Sequence, residues 1–84
     1  MDALIDLSSL RIPQIFRVIR EEGGISDADM LRTFNMGAGL IVVCPQAAKT
    51  EVVSHLAEEG CAAYSIGEIT KGAGAVTFRN RPPW

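Results

Sequence analysis

Apolar residues at Ile12, Ile15, Phe16 and Ile19 recur at the i, i+3, i+4, i+7 spacing of one helix face. Pro13 suits the first turn of that helix, where its missing N–H costs nothing. Gly23-Gly24 stops it, because glycine accepts the left-handed cap conformation. Ser26 then caps a second helix, with Asp27 and Asp29 at the positive end of its dipole and Met30, Leu31 and Phe34 on its apolar face. Gly37-Ala38-Gly39 breaks the pattern. Leu40-Ile41-Val42-Val43-Cys44 follows as a continuous apolar run closed by Pro45, which predicts a strand covered on both faces. A third helix is predicted from Gln46 to Glu59, with Ala48, Val52 and Leu56 as its inner stripe and Gly60 as its stop. Ala62 to Ile69 has a weak strand pattern with Tyr64 and Ile66 on one face. Lys71-Gly72-Ala73-Gly74 reads as a hairpin turn into a last strand, Ala75 to Phe78. Ala3 to Ile5 fits the end of a short strand ahead of Ser8-Ser9.

The main elements thus run α-α-β-α-β-β. The expected class is α+β, a small mixed β-sheet with helices on one face. Three or four strands from one chain leave sheet edges open to pairing, so the pattern by itself predicts a missing half or a partner. The 84 residues make one domain, 1–84. Pro82-Pro83 excludes regular pairing in the tail, and 79–84 is expected to be disordered. Trp84 reads either as the end of that tail or as a partner anchor.

Composition narrows the function classes. The chain is 48% hydrophobic and 21% charged, which is globular. A net charge of −2 with scattered Lys and Arg argues against nucleic acid as a partner. The acidic N-terminus is not a signal peptide, and the run Leu40–Cys44 is far too short to span a bilayer. A cytoplasmic protein is expected. Cys44 and Cys61 have no metal-ligand spacing and read as free, buried, small apolar residues. His55 has no companion ligand, so no metal site and no catalytic residue is expected. The stretch Arg32-Thr33-Phe34-Asn35 followed by Gly37 and Gly39 is the one candidate site. Thr33 and Asn35 could hydrogen-bond a ligand while the two glycines let backbone approach it. From the residues alone the better-supported reading is that Asn35 caps the helix end and the glycines relieve crowding at a helix–strand junction.

One family carries many of these segments in the same order. Ala3-Leu4-Ile5-Asp6, Ile12-Pro13-Gln14-Ile15-Phe16-Arg17 and the acidic turn Glu21 to Met30 are followed by Met30-Leu31-Arg32-Thr33-Phe34-Asn35-Met36-Gly37-Ala38-Gly39. That last segment is similar to a Met-x-Arg-Thr-Phe-Asn-x-Gly-x-Gly signature, and Ala63-Tyr64-Ser65-Ile66-Gly67-Glu68-Ile69 to an Ala-(Tyr/Trp)-x-Ile-Gly-x-(Ile/Val) strand. From about Ala3 to Phe78 the chain resembles the C-terminal part of the aminoimidazole ribonucleotide synthetase family (phosphoribosylformylglycinamidine cyclo-ligase).

The resemblance implies a partial C-terminal domain of an ATP-dependent ligase of purine biosynthesis. In that family ATP phosphorylates the amide oxygen of formylglycinamidine ribonucleotide, a nitrogen attacks, and phosphate leaves as the imidazole closes. The family's N-terminal domain supplies the ATP site and a dimer barrel, and a glycine-rich loop lies in the first half of the C-terminal domain. Neither matches anything here. The resemblance therefore implies ATP and Mg²⁺ for the whole enzyme but no cofactor held by this chain. It also implies Arg32, Thr33, Asn35, Gly37 and Gly39 as substrate-facing residues. Two roles are open: a fragment active only with the missing part of the synthetase, or a non-catalytic remnant acting as a homo-oligomer or partner-binding module.

Overall fold

The computed structural model describes all residues from Met1 to Trp84. Strand β1 (Asp2–Asp6) leads into a 3₁₀ turn (Leu7–Ser9), then helices α1 (Gln14–Gly23) and α2 (Asp27–Thr33). After a long irregular segment come a second 3₁₀ turn (Gln46–Ala48), helix α3 (Lys49–Glu58) and strands β2 (Gly67–Thr70) and β3 (Val76–Arg79). The class is α+β with a small mixed sheet. Its strand order is β2-β1-β3, with β1 antiparallel to β2 and parallel to β3.

Two sequence expectations fail here. Leu40–Cys44 forms no strand, and Leu40, Ile41, Val42 and Val43 are 84%, 62%, 52% and 68% exposed. The physical reason is that a strand needs a ladder partner. Both edges of β1 are already taken, by β2 and β3, and this run pairs with neither. Lys71–Gly74 is not a hairpin turn, because β1 lies between the two strands it joins. The loop instead crosses the start of β1. There the Asp2 carboxylate Oδ1 accepts from the N–H of Gly74 (3.0 Å) and of Ala75 (2.8 Å). At the other end of β1, Gly67 stands against the Leu4 carbonyl, leaving no room for a Cβ.

Helix boundaries follow local chemistry. The α1 helix closes as a Schellman motif: Gly24 is left-handed, its N–H reaching Glu21 O (3.4 Å) while Ile25 N–H reaches Arg20 O (3.0 Å). Ser26 Oγ caps α2 by accepting from Asp29 N–H at 3.3 Å. No helix is long and apolar enough to cross a membrane.

The core is small and one-sided. Only five of 84 residues are buried, and the apolar ones are Leu7, Leu10, Met30 and Met36. Ile5, Ile12, Ile19 and Ile25 pack around them, with Phe16 and Phe34 in edge-to-face contact at 5.7 Å. This core joins the end of β1 to α1 and α2. No residue of α3 belongs to it; Ala48, Val52 and Leu56 are only half-buried. Neither cysteine is buried: Cys44 is half-buried and Cys61 exposed, both free.

The tail is seated rather than loose. Pro82 is buried, and Trp84 packs on the core cluster. The indole Nε1–H donates to Asp27 Oδ1 at 2.8 Å, the same oxygen that accepts from Arg20 Nε at 2.8 Å. The Arg20 guanidinium lies 5.1 Å from the indole centroid. The expectation of a disordered 79–84 overlooked that α1 and α2 present a cation, a carboxylate and an apolar seat together. Burial pushes the Asp27 carboxyl up, but the hydrogen bonds from Arg20 and Trp84 and the charges of Arg20 and Arg81 outweigh it, so it titrates below its ordinary value.

Candidate functional site

The five residues suggested by sequence span the end of α2 and the turn that follows it, and they do not converge on a cavity. Arg32 Nη1 pairs with Asp29 Oδ1 at 3.1 Å, one helical turn back on the exposed face of α2. Thr33 and Gly39 are exposed, and a Cβ on Gly39 would meet nothing. Asn35 and Gly37 are brought together: Asn35 Oδ1 accepts from Gly37 N–H at 2.9 Å, and Asn35 O from Ala38 N–H at 3.0 Å.

That turn has a packing logic. Met36 has φ 56°, a left-handed conformation that costs a non-glycine residue roughly 1–2 kcal/mol. Its side chain is 2% exposed, so core burial offsets the strain. Gly37 follows at φ 92°, and a Cβ there would run into the Pro13 ring. The turn therefore drives Met36 into the core and brings the backbone against the start of α1. Asn35 and Gly37 carry this geometry, while Arg32, paired with Asp29, and Thr33 and Gly39 lie exposed at the surface.

The structure forms a concave site elsewhere. A groove of about 340 Å³ opens between Arg11, the first two turns of α3 and the segment leading to β2. Lys49, Thr50 and Ser54 line it from α3, and Tyr64 and Ser65 from the opposite wall. Tyr64 is held in place: its hydroxyl accepts from the Arg11 backbone N–H at 2.9 Å, and the Arg11 guanidinium stands 4.6 Å over its ring. Through Lys49 and Ser65 the groove adjoins a more polar hollow bordered by Asp6, Glu68 and Arg79. In that hollow Asp6 is saturated. It accepts from Ser8 Oγ (2.6 Å), Ser8 N–H (3.1 Å) and Asn80 Nδ2 (2.9 Å), with Arg79 at 3.6 Å. The hydrogen bonds from Ser8 and Asn80 lower its pKa from 3.8 to about 2.

Sequence reasoning missed this groove because it joins residues far apart in the chain. Thr50 and Ser54 at i, i+4 beside Lys49 are a legible polar stripe. The Arg11–Tyr64 contact, across 53 positions, is not.

The residues present do not fit ATP or Mg²⁺. The amides of Gly74 and Ala75 at the glycine-rich loop are occupied by Asp2, so they cannot cradle a phosphate. No group of three or more His, Cys, Asp or Glu side chains gathers as metal ligands need.

Comparison with known proteins bears on the whole chain. A family model described as AIR synthase related protein, C-terminal domain, matches residues 2–79. The phosphoribosylformylglycinamidine cyclo-ligase of Synechococcus elongatus is 40% identical over 72 residues, which cover 86% of this chain and 21% of that protein. The Alkaliphilus metalliredigens protein of the same name is 42% identical over 78 residues, 93% of this chain and 22% of that one. That of Sorangium cellulosum is 35% identical over 81 residues, 96% and 23%. The chain thus spans about a fifth of the length of these curated relatives. No solved structure matches it. With the family model matched from Asp2 to Arg79, the chain belongs to the AIR synthase related protein family as its C-terminal domain.

Proposed function

We propose that this chain is the C-terminal portion of an ATP-dependent phosphoribosylformylglycinamidine cyclo-ligase acting in the cytoplasm, and that it closes no ring without the rest of that enzyme. The observation that carries the second half of the proposal is the bare run Leu40–Val43. Four consecutive large apolar side chains, each more than half exposed, are what an inner strand looks like without its neighbours. β2 and β3 add two free edges beside Ile69, Val76 and Phe78, all exposed. The relatives named cyclo-ligase are about four times as long as this chain, which leaves room for the segments that would cover these surfaces.

In the assembled enzyme ATP and Mg²⁺ are held by the remaining segments. Arg32, Thr33 and Gly39, exposed on the surface, are the residues offered to the substrate side, while Asn35 and Gly37 hold the turn that presents them. The chain alone is expected to give no ATP hydrolysis and no imidazole product. Added to a cyclo-ligase truncated before the matched segment, it should restore ring closure, and Arg32→Ala should reduce the restored rate. A chain that turns over alone, or one that never restores activity while folded, would overturn the reading. In the latter case light scattering that shows a closed homodimer would favour the non-catalytic, self-associating module, in which the same apolar surface meets its own copy.

A further inference from the structure

We infer that the seat between α1 and α2 that holds Trp84 is a docking site for the tail of a second copy of this chain, so that two chains join by exchanging residues 80–84. The inference does not rest on the cyclo-ligase reading, because those residues lie outside the matched segment, 2–79. It begins from how the tail is attached. The tail backbone makes no hydrogen bond to the rest of the chain; the one it makes is internal, Trp84 N–H to Pro82 O at 3.0 Å. Side chains hold it instead: Asn80 Nδ2 donates to Asp6 Oδ1 at 2.9 Å, Pro82 is buried, and Trp84 fills the seat. A segment held by side chains alone leaves without breaking a sheet ladder or a helix, so its opening is among the cheapest motions of a folded chain.

The seat reads an indole from three directions. Asp27 Oδ1 accepts its N–H at 2.8 Å, the Arg20 guanidinium stands 5.1 Å from the ring centroid, and the core cluster packs against the ring. None of these contacts requires Trp84 to follow the β3 of the same chain, and the tail of a second copy satisfies all of them. The segment is also prepared for transfer. Pro82 and Pro83 each fix a φ angle, so little freedom is lost on docking. Asn80, at φ 64°, holds a left-handed conformation that asparagine tolerates, and rotation there redirects the tail while β3 stays in place. The charge of Arg81, carried on the same segment, favours the Asp27 carboxylate. The chain's own tail competes for the seat at an effective concentration on the order of 1 mM, so each seat is filled from within at micromolar protein. Exchange takes over where a chain cannot fill its own seat. In the exchanged pair each seat holds the other copy's Trp84, a closed two-fold arrangement.

The test separates acceptor from donor. Trp84→Ala gives a full chain with an empty seat and no tryptophan, and Asp27→Ala gives one with a weakened seat and an intact tail. On mixing, the ¹⁵N-labelled Trp84→Ala chain should show saturable amide shifts at Arg20 and Asp27, and the tryptophan emission of the Asp27→Ala chain should move to the blue. An acetylated, amidated peptide of residues 79–84 serves as a second donor, so the test stands even if Asp27→Ala does not fold. The unmodified chain, whose seat is already filled, should bind that peptide at least about tenfold more weakly than Trp84→Ala does. A peptide carrying 1-methyltryptophan, which has no indole N–H, should bind Trp84→Ala about fivefold more weakly than the parent peptide. No saturable shift at Arg20 and Asp27 with either donor, or equal binding of the peptide by the unmodified chain, would overturn the site. A folded Asp27→Ala chain that fails to bind where the peptide succeeds would overturn the exchange between copies, as would shifts confined to the bare run Leu40–Val43.

Discussion

The two sides of the molecule are built to different standards. On one side the end of β1, α1, α2 and the tail enclose Leu7, Leu10, Met30 and Met36, and Trp84 closes the seam between the helices through Asp27 and Arg20. On the other, every residue of β2 and β3 is exposed, α3 adds nothing to the core, and Leu40–Val43 is bare. What differs is whether each apolar face has something to meet. Burial is a property of pairs of surfaces, so a strongly hydrophobic segment is not a core segment until its counterpart is present.

The sharpest way to break the comparison is to truncate one large side chain on each side. Met30 is 0% exposed, and Met30→Ala should cost about 3 kcal/mol, a large part of the stability of a chain this small. Val42→Ala should stay within about 0.5 kcal/mol. Thermal or urea melts of the two variants check both. Equal losses would mean that the apolar run is already buried in the chain alone.

The second contrast lies inside the Arg32–Gly39 turn. Gly37→Ala must place a Cβ against Pro13 at φ 92° and should destabilise by about 1–2 kcal/mol, whereas Gly39→Ala, in open space, should be neutral to within about 0.5 kcal/mol. The same melts decide it. Next in size is the tail. Trp84→Ala removes a half-buried indole and should cost about 1 kcal/mol, less than a fully buried aromatic. Since Trp84 is the only tryptophan, its fluorescence in the unmodified chain should shift to the red as the core melts, in one transition with the helical signal. A tail signal that changes well before the helices do would show that the clasp is not part of the core.

The smallest effect is a pH dependence. Asp6 has its pKa depressed from 3.8 to about 2 by hydrogen bonds from Ser8 and Asn80. The folded state thus favours the carboxylate more than the unfolded chain does. The stability it contributes is complete above pH 3.8 and is lost as the pH falls towards 2. Asp6→Asn should flatten the melting temperature over that window relative to the unmodified chain. An unchanged acid limb would remove Asp6 from the account.

How much of this was legible in the sequence depends on the range of the interaction. The two N-terminal helices, the Ser26 cap and the Gly24 stop were readable, because each is settled within one turn of chain. The α+β class followed from element order, and the family from the segment Met30–Gly39. The strand at Leu40–Cys44 was misread because a continuous apolar run reports what a segment needs, not what it has. The Lys71–Gly74 loop was misread because a turn between two strands looks the same whether they pair with each other or flank a third. The seat of Trp84 joins positions 57 apart, and the groove joins Arg11 to Tyr64. Neither leaves a local pattern.

The central claim is that Leu40–Cys44, irregular in this chain, pairs as an inner strand only when the remaining segments of the enzyme cover it. Amide hydrogen exchange at Ile41, Val42, Val43 and Cys44 tests it directly, in the chain alone and after mixing with a cyclo-ligase truncated before the matched segment. The account predicts exchange near the free-peptide rate in the chain alone, while Met30 and Leu31 are protected, and strong protection of all four amides in the mixture. Protection of the run in the monomeric chain alone, equal to that of α2, would contradict it.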